Sequence, residues 1–356
     1  MPNTVVNKEV NKVNKFSKQA DISVMRIAAT LAVIFLHTCN TISNNAENYN
    51  LSDTQMLFLT SGNYLMNWAV PMFLMITGAL FLKEERIITF RSCLTKYSKR
   101  ILLALLIFGI PFSLLEIIVN TRQIKMSIIG HAILNVLTGD SWSHLWYLYA
   151  LLGIYLVLPV LKAFVDKASR KDIEAFLGIL LLFNILLPIV NNLFRIKIAF
   201  YIPISSFLVF YVLLGKYMYD KTPGILKYKK ICVGILAIAF AVLIIINRYT
   251  VPHGDTWLDY HSPLIVIITT VMFALFKNIA INKMDRLWRI DRLCFGVYLV
   301  HPVFINFFYK GLKITPLNAN KYYLLAIFLF WIVFVVCSFL TSWIMSLIKP
   351  LKKYVL

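Results

Sequence analysis

Apolar blocks of about 20 residues recur from one end of the chain to the other, each long enough to cross a bilayer as a helix. A soluble core needs no such runs. Within hydrocarbon every backbone N–H and C=O must be satisfied inside the segment, so serial runs of this length predict an all-α, polytopic membrane helical bundle. The composition agrees, with 60% hydrophobic and only 15% charged residues. Spans are predicted near 22–40, 62–82, 101–119, 144–165, 173–192, 198–219, 230–247, 262–281, 293–310 and 322–347, about ten transmembrane helices in all. The division between the fifth and sixth falls at Asn191 to Lys197, flanked by Pro188 and Pro203.

Charge tests the count. Lys and Arg concentrate in the even-numbered gaps and at both ends, and are sparse in the odd-numbered gaps, as expected when cytosolic loops carry the basic excess. Ten spans with both termini cytosolic fit this pattern. Residues 1–21 form a polar cytosolic lead without the apolar core of a signal peptide, 22–347 a single membrane domain, and 348–356 a short cytosolic tail. A net charge of +20 also suits a nucleic-acid binder, but here the charge is divided among short loops, and no nucleic acid is expected. The lipid bilayer is the partner that the pattern implies. Five cysteines, Cys39, Cys93, Cys232, Cys294 and Cys337, lack the spacing of a zinc site or a disulfide framework.

Ionisable groups inside a span are expensive and default to functional hypotheses. The first span holds Arg26 and His37, eleven positions apart, which is about three turns and ~16 Å of rise, so both side chains leave nearly one face. Arg26 lies towards the cytosol and His37 towards the outer side. In a structural reading Arg26 snorkels to lipid phosphates and His37 bonds a neighbouring helix. In a functional one the arginine holds an anionic group while the imidazole, whose pKa lies near neutrality, does acid/base work deeper in.

Lys96, Lys99 and Arg100 stand at the inner entrance of the third span, either as an ordinary positive stop or as a phosphate clamp. In the ninth span, His301 precedes Pro302, which cannot donate to the carbonyl of Tyr298. A kink is expected there, and His301 either relieves the freed backbone or takes part in chemistry. Trp142, His144, Trp146 and Tyr147 open the fourth span as an interface belt or as part of a site. At the outer surface His131, Asp140, His144, His253, Asp255, Asp259 and His261 match no metal template and suit a polar acceptor site better; no metal is expected.

Taken together, several segments resemble the acyltransferase-3 family of membrane acyltransferases over nearly the whole chain. Arg26 and His37 match that family's first-span motif of Arg or Lys, ten residues, then His. Val70 to Gly78 is similar to its second-span Phe-Phe-x-x-Ser-Gly segment, His144-Leu145-Trp146-Tyr147 to its fourth-span opening, and Tyr298 to His301 to its late Tyr-Leu-x-His. Thr77 stands where serine is usual, and Pro71 where many members carry aspartate. Lys96 and Lys99 keep the spacing of the family's Arg-x-x-Arg, while Arg100 has the better chemistry.

The resemblance implies transfer of an acyl group, usually acetyl, from cytosolic acyl-CoA (acetyl-CoA) to a hydroxyl of an extracytoplasmic cell-surface glycan. No cofactor is permanently bound on this reading. The donor's phosphates would lie against Arg26, Lys96, Lys99 and Arg100, and its thioester near His37, acting as base or as acylated nucleophile. Thr77, Tyr147 and Tyr298 are candidates by type for oxyanion donors, with His144, Trp146 and His301 on the acceptor side. Some members carry a fused hydrolase-like domain; without one the transfer is completed alone, as a homo-oligomer or with a separate acceptor-side partner. A transporter or exporter of an amino acid or a lipid-linked glycan is the rival reading, but the paired halves of such proteins are not evident.

Overall fold

The computed structural model describes residues 3–122, 125–196, 198, 206–250, 258–277, 279 and 284–356. Among these the chain is all-helical with no strand. The helices are α1 (Asn3–Ser43), α2 (Asp53–Leu65), α3 (Ala69–Phe81), α4 (Phe90–Thr121), α5 (Ser127–Thr138), α6 (Ser143–Lys167) and α7 (Arg170–Phe194). They continue as α8 (Phe207–Ile225), α9 (Lys229–Thr250), α10 (Pro263–Phe276), α11 (Met284–Asp291), α12 (Cys294–Gly311), α13 (Tyr323–Leu347) and α14 (Lys349–Tyr354). Helix α1 runs from Asn3 to Ser43, with the membrane-competent part beginning at Ala20.

Among the described residues seven helices or helix pairs are long and apolar enough to cross a membrane, or eight if the bent α11–α12 pair is one span, so the expected count of about ten is not confirmed. The sixth and eighth predicted spans account for the difference, and parts of both, residues 199–205, 278 and 280–281, lie outside the described residues. On α8, three charges (Lys216, Asp220 and Lys221) dilute an otherwise apolar run, although Lys216 and Asp220 pair at 2.8 Å. In α10 only 14 residues are apolar and helical.

Helix ends follow local chemistry. Ser52 caps α2 by accepting from the Gln55 N–H while the Gln55 side chain accepts from the Ser52 N–H, which satisfies two otherwise orphaned donors. Between α2 and α3 the chain turns at Met66 to Trp68, and the Asn67 amide donates to the Leu258 carbonyl at 2.8 Å, pinning this turn to the segment before α10. Pro302 sits inside α12 without a break; the 51° bend comes earlier, between Asp291 and Cys294. The kink expected at Pro302 is therefore displaced to the α11–α12 junction.

At the centre lies α1, packed against α2, α3, α11, α12 and α13, so both faces of its Arg26-to-His37 stretch meet protein rather than lipid. Beside it α3 and α8 approach closely. A Cβ added at Gly78 would lie 1.7 Å from the Val212 carbonyl oxygen, and one at Gly215 would lie 2.1 Å from that of Met75. Helices in lipid gain little from hydrophobic exclusion and associate through close backbone packing at small residues, which this reciprocal pair supplies. The crossing holds in place the wall of α3 that faces the site.

Because both collisions are with backbone, neither can be relieved by a rotamer change. Gly78→Leu or Gly215→Val should destabilise the protein by about 3 kcal/mol or more, seen as a fall in thermal unfolding midpoint in detergent and loss of a monodisperse peak. Gly153→Ala, on α6 where an added Cβ meets nothing within 4 Å, should leave both unchanged or slightly improved.

Candidate active site

The site begins with a missing N–H. Pro302 leaves the Tyr298 carbonyl without its usual helical donor, and the imidazole of His301 supplies one: its Nδ1 lies 2.8 Å from that oxygen and 3.3 Å from the Val297 oxygen. Carbonyls only accept, so Nδ1 carries the proton and Nε2 presents a lone pair. That Nε2 is buried without a partner. Burial of an unpaired acceptor is costly, so such an atom calls for an explanation.

Two further imidazoles gather around it. The ring centroids of His37 and His301 are 5.1 Å apart, and those of His144 and His301 are 5.6 Å apart. His144 is held at the start of α6 by the Tyr298 hydroxyl, which donates to its backbone carbonyl, and by the stacked Phe112–Trp142 pair, whose rings lie 6.1 Å from its own. The Nε2 of His144 is likewise buried and unpartnered. Tyr147 stands edge-on to Tyr298 at 5.9 Å.

These groups meet at a cavity of about 370 Å³ lined by His37, His144, Trp146, Tyr147 and Tyr298. His301 stands directly behind them. The outer part of the cavity is edged by four carboxamides, Asn40, Asn44, Asn63 and Asn67, together with Tyr64, Asp259 and Tyr260. Trp146 and Tyr260 stack at 5.6 Å, and Tyr211 fixes the latter's turn by donating to the Tyr260 carbonyl at 2.9 Å. Burial would raise the Asp259 carboxyl, but hydrogen bonds from the His261 side chain and backbone overcome it and hold the group below the usual carboxylate range. Burial, with the Asp259 charge nearby, pushes the Tyr260 phenol up to about 12, so it stays a neutral hydroxyl.

Not every sequence-derived candidate joins this cavity. Thr77 does not line it, and its hydroxyl donates to the Phe73 carbonyl of its own helix at 2.9 Å. Arg26 lies about three turns before His37 on α1, where Nη1 donates to both carboxylate oxygens of Asp291 at 2.5 and 2.7 Å; Ser23 donates a third bond to Asp291 at 2.8 Å. Arg100 donates to the backbone carbonyls of Val355 and Leu356 and lies over the Phe295 ring. Lys96 and Lys99 are exposed on the same inner turn of α4.

Residues of the earlier metal reading part company. His253 and Asp255 lie outside the described residues, His131 bonds its own helix, and Asp259 pairs with His261 at 3.2 Å. Among the described residues no group of three or more His, Cys, Asp or Glu is placed to hold a metal ion. Cys39 is buried away from the cavity against Gly62. Sequence reasoning missed Asp291, whose link to Arg26 is a tertiary contact, and also Asn40 and Asn44. These two follow His37 by three and seven positions and share its helical face, so periodicity could have found them.

A family model described as an acyltransferase domain matches residues 19–347 of the chain. No curated protein and no solved structure matches it.

If Pro302 fixes the His301 tautomer, restoring the N–H should release it. In Pro302→Ala the new amide takes the Tyr298 carbonyl, and ¹⁵N solid-state NMR of labelled histidine should report His301 passing from a single Nδ1-protonated form to a mixture. An unchanged single Nδ1–H signal would show that the carbonyl does not set the tautomer.

Proposed function

Because the chain belongs to the acyltransferase-3 family, we propose that it is a membrane O-acyltransferase that carries an acetyl group from acetyl-CoA on the cytosolic side to a hydroxyl of a cell-surface glycan. On this reading the chain crosses the cytoplasmic membrane ten times with both termini inside, α8 and α10 completing the set. The observation that carries it is the histidine and tyrosine cluster on one cavity of a membrane helix bundle, with a basic end three turns away on the same helix.

His37 is the base in this scheme. Of the three imidazoles it lines the cavity and has no hydrogen bond among the described residues, whereas His301 is bound to backbone through Nδ1. As the acceptor hydroxyl attacks the thioester carbonyl, His37 takes its proton. The C–S bond then breaks and the imidazolium returns the proton to the departing thiolate. His301 acts as a positioning residue: its Nε2 lone pair, turned towards a neighbour 5.1 Å away centre to centre, can accept from the second N–H of a protonated His37. Neutral imidazoles suit this work because they reside in a low-dielectric interior at far smaller cost than carboxylates.

Tyr147 is the best-placed oxyanion donor. It lines the cavity with its hydroxyl uncommitted among the described residues, while Tyr298 and Thr77 already donate elsewhere. For the donor's phosphates Lys96 and Lys99 are exposed, and Arg26 and Arg100 must exchange their present partners, Asp291 and the tail carbonyls.

His37→Ala should cut acetyl transfer from radiolabelled acetyl-CoA to a glycan acceptor by at least ~10²-fold while the protein elutes and melts as the wild type does. Transfer near the wild-type rate would remove His37 from the mechanism. In proteoliposomes, movement of a solute that continues without any acyl donor would instead favour a transporter.

A further inference from the structure

The charge of the outer mouth says something about the acceptor that the reaction class does not. Among the described residues that line the cavity, Asp259 is the sole Asp, Glu, Lys or Arg. It is half exposed, its hydrogen-bond partner is His261 on the same turn, and no lysine or arginine among the described residues lines the cavity. A phosphate or carboxylate on an acceptor would therefore meet a carboxylate and find no cation to replace its water, a repulsive arrangement that selects by exclusion.

The remaining polar groups suit an uncharged, hydroxyl-rich ligand. A carboxamide carries both donors and an acceptor, which matches sugar hydroxyls and acetamido groups in either sense, although one donor of Asn67 is spent on the Leu258 carbonyl. One of them is already short of a partner: the Asn40 Oδ1 is buried and unbonded, on the same face of α1 as His37. Trp146 and Tyr260, stacked at the rim, give an apolar plate beside these polar groups, the combination expected of a site that fixes orientation with few polar contacts. The plate and the carboxylate are also held in register. Asn67 anchors the turn at Leu258 and Tyr211 anchors it at Tyr260, on either side of Asp259.

We propose that this mouth is the acceptor subsite for a glycan without negative charge, that it prefers an amine-bearing sugar over a neutral one, and that Asp259 is the residue that sets this preference. The inference rests on the acyltransferase reading for the direction of transfer, but the binding preference can be measured without any chemistry.

Fluorescent trimers of glucosamine, N-acetylglucosamine and galacturonic acid would be titrated by thermophoresis against the protein in nanodiscs, with acetyl transfer from acetyl-CoA followed in parallel. The wild type should bind the amine-bearing trimer tightest, the N-acetylated one more weakly and the anionic one without saturation. In Asp259→Asn the amine-bearing trimer should lose roughly tenfold in affinity, about 1.4 kcal/mol, while the N-acetylated trimer changes by less than about threefold. His261→Ala, which removes the imidazole bonded to Asp259 and keeps the carboxylate, should free the carboxylate for the ligand, strengthen amine binding and so guard against a variant that merely misfolds. Galacturonate binding as tight as N-acetylglucosamine, an amine preference untouched by Asp259→Asn, or no binding of any trimer would each overturn the proposal. The expected binding pattern with no transfer would leave the mouth's preference standing and overturn the acyltransferase reading.

Discussion

A backbone carbonyl deprived of its helical donor inside a bilayer has no water to turn to, and the interior of this protein is arranged around one such case. Pro302 removes the donor for the Tyr298 carbonyl, and His301 replaces it through Nδ1. The replacement fixes the imidazole's tautomer, leaves its other nitrogen facing inward, and puts it against His37 and His144. The Tyr298 hydroxyl in turn holds the start of α6 by bonding the His144 carbonyl. One absent hydrogen thus sets the protonation pattern of a histidine and links two helices, and both effects come from the rule that polar backbone is satisfied in a dry interior.

The two ends of α1 are handled differently. At the Arg26 end the cations are already engaged: Arg26 by Asp291, to which the Ser23 hydroxyl also donates, and Arg100 by the carbonyls of Val355 and Leu356. An anion arriving there exchanges one set of acceptors for another, and the net gain is the difference rather than the full attraction. The outer end presents carboxamides and aromatic rings with a single carboxylate. The contrast between a cationic end and a neutral-to-anionic one is built on a single helix whose two marked residues share a face.

Much of this was legible in the chain. The eleven-residue spacing of Arg26 and His37 put them on one face, and the His301-Pro302 step gave the backbone relief that the Nδ1 of His301 supplies. The span count was less legible. Apolar length is a reliable signal only where charge does not interrupt it, and α8 carries Lys216, Asp220 and Lys221 while α10 is only 14 residues long. Asp291 was invisible for another reason. Its partner lies 265 positions away, and nothing local distinguishes it from the other charges of a basic, loop-like stretch. The bend assigned to Pro302 instead fell at the α11–α12 junction, because proline removes one bond but the His301 side chain restores it, and the helix has no remaining reason to break there.

Why histidine occupies the point where the two ends meet follows from the cost of charge. A carboxylate placed there would have to be ionised to act as a base, and ionisation in a water-poor interior costs several kcal/mol unless a cation is held beside it. Such a cation would in turn weaken the base. An imidazole is basic in its neutral form, so it can wait in the interior at little cost and becomes charged only when it takes a proton. The resulting imidazolium is then the species that needs help, and a second neutral imidazole with its lone pair turned inward supplies it without introducing any fixed charge. In the proposed scheme His37 with His301 would meet these requirements in a setting where the familiar pairing of imidazole with a buried aspartate would be far more expensive to maintain.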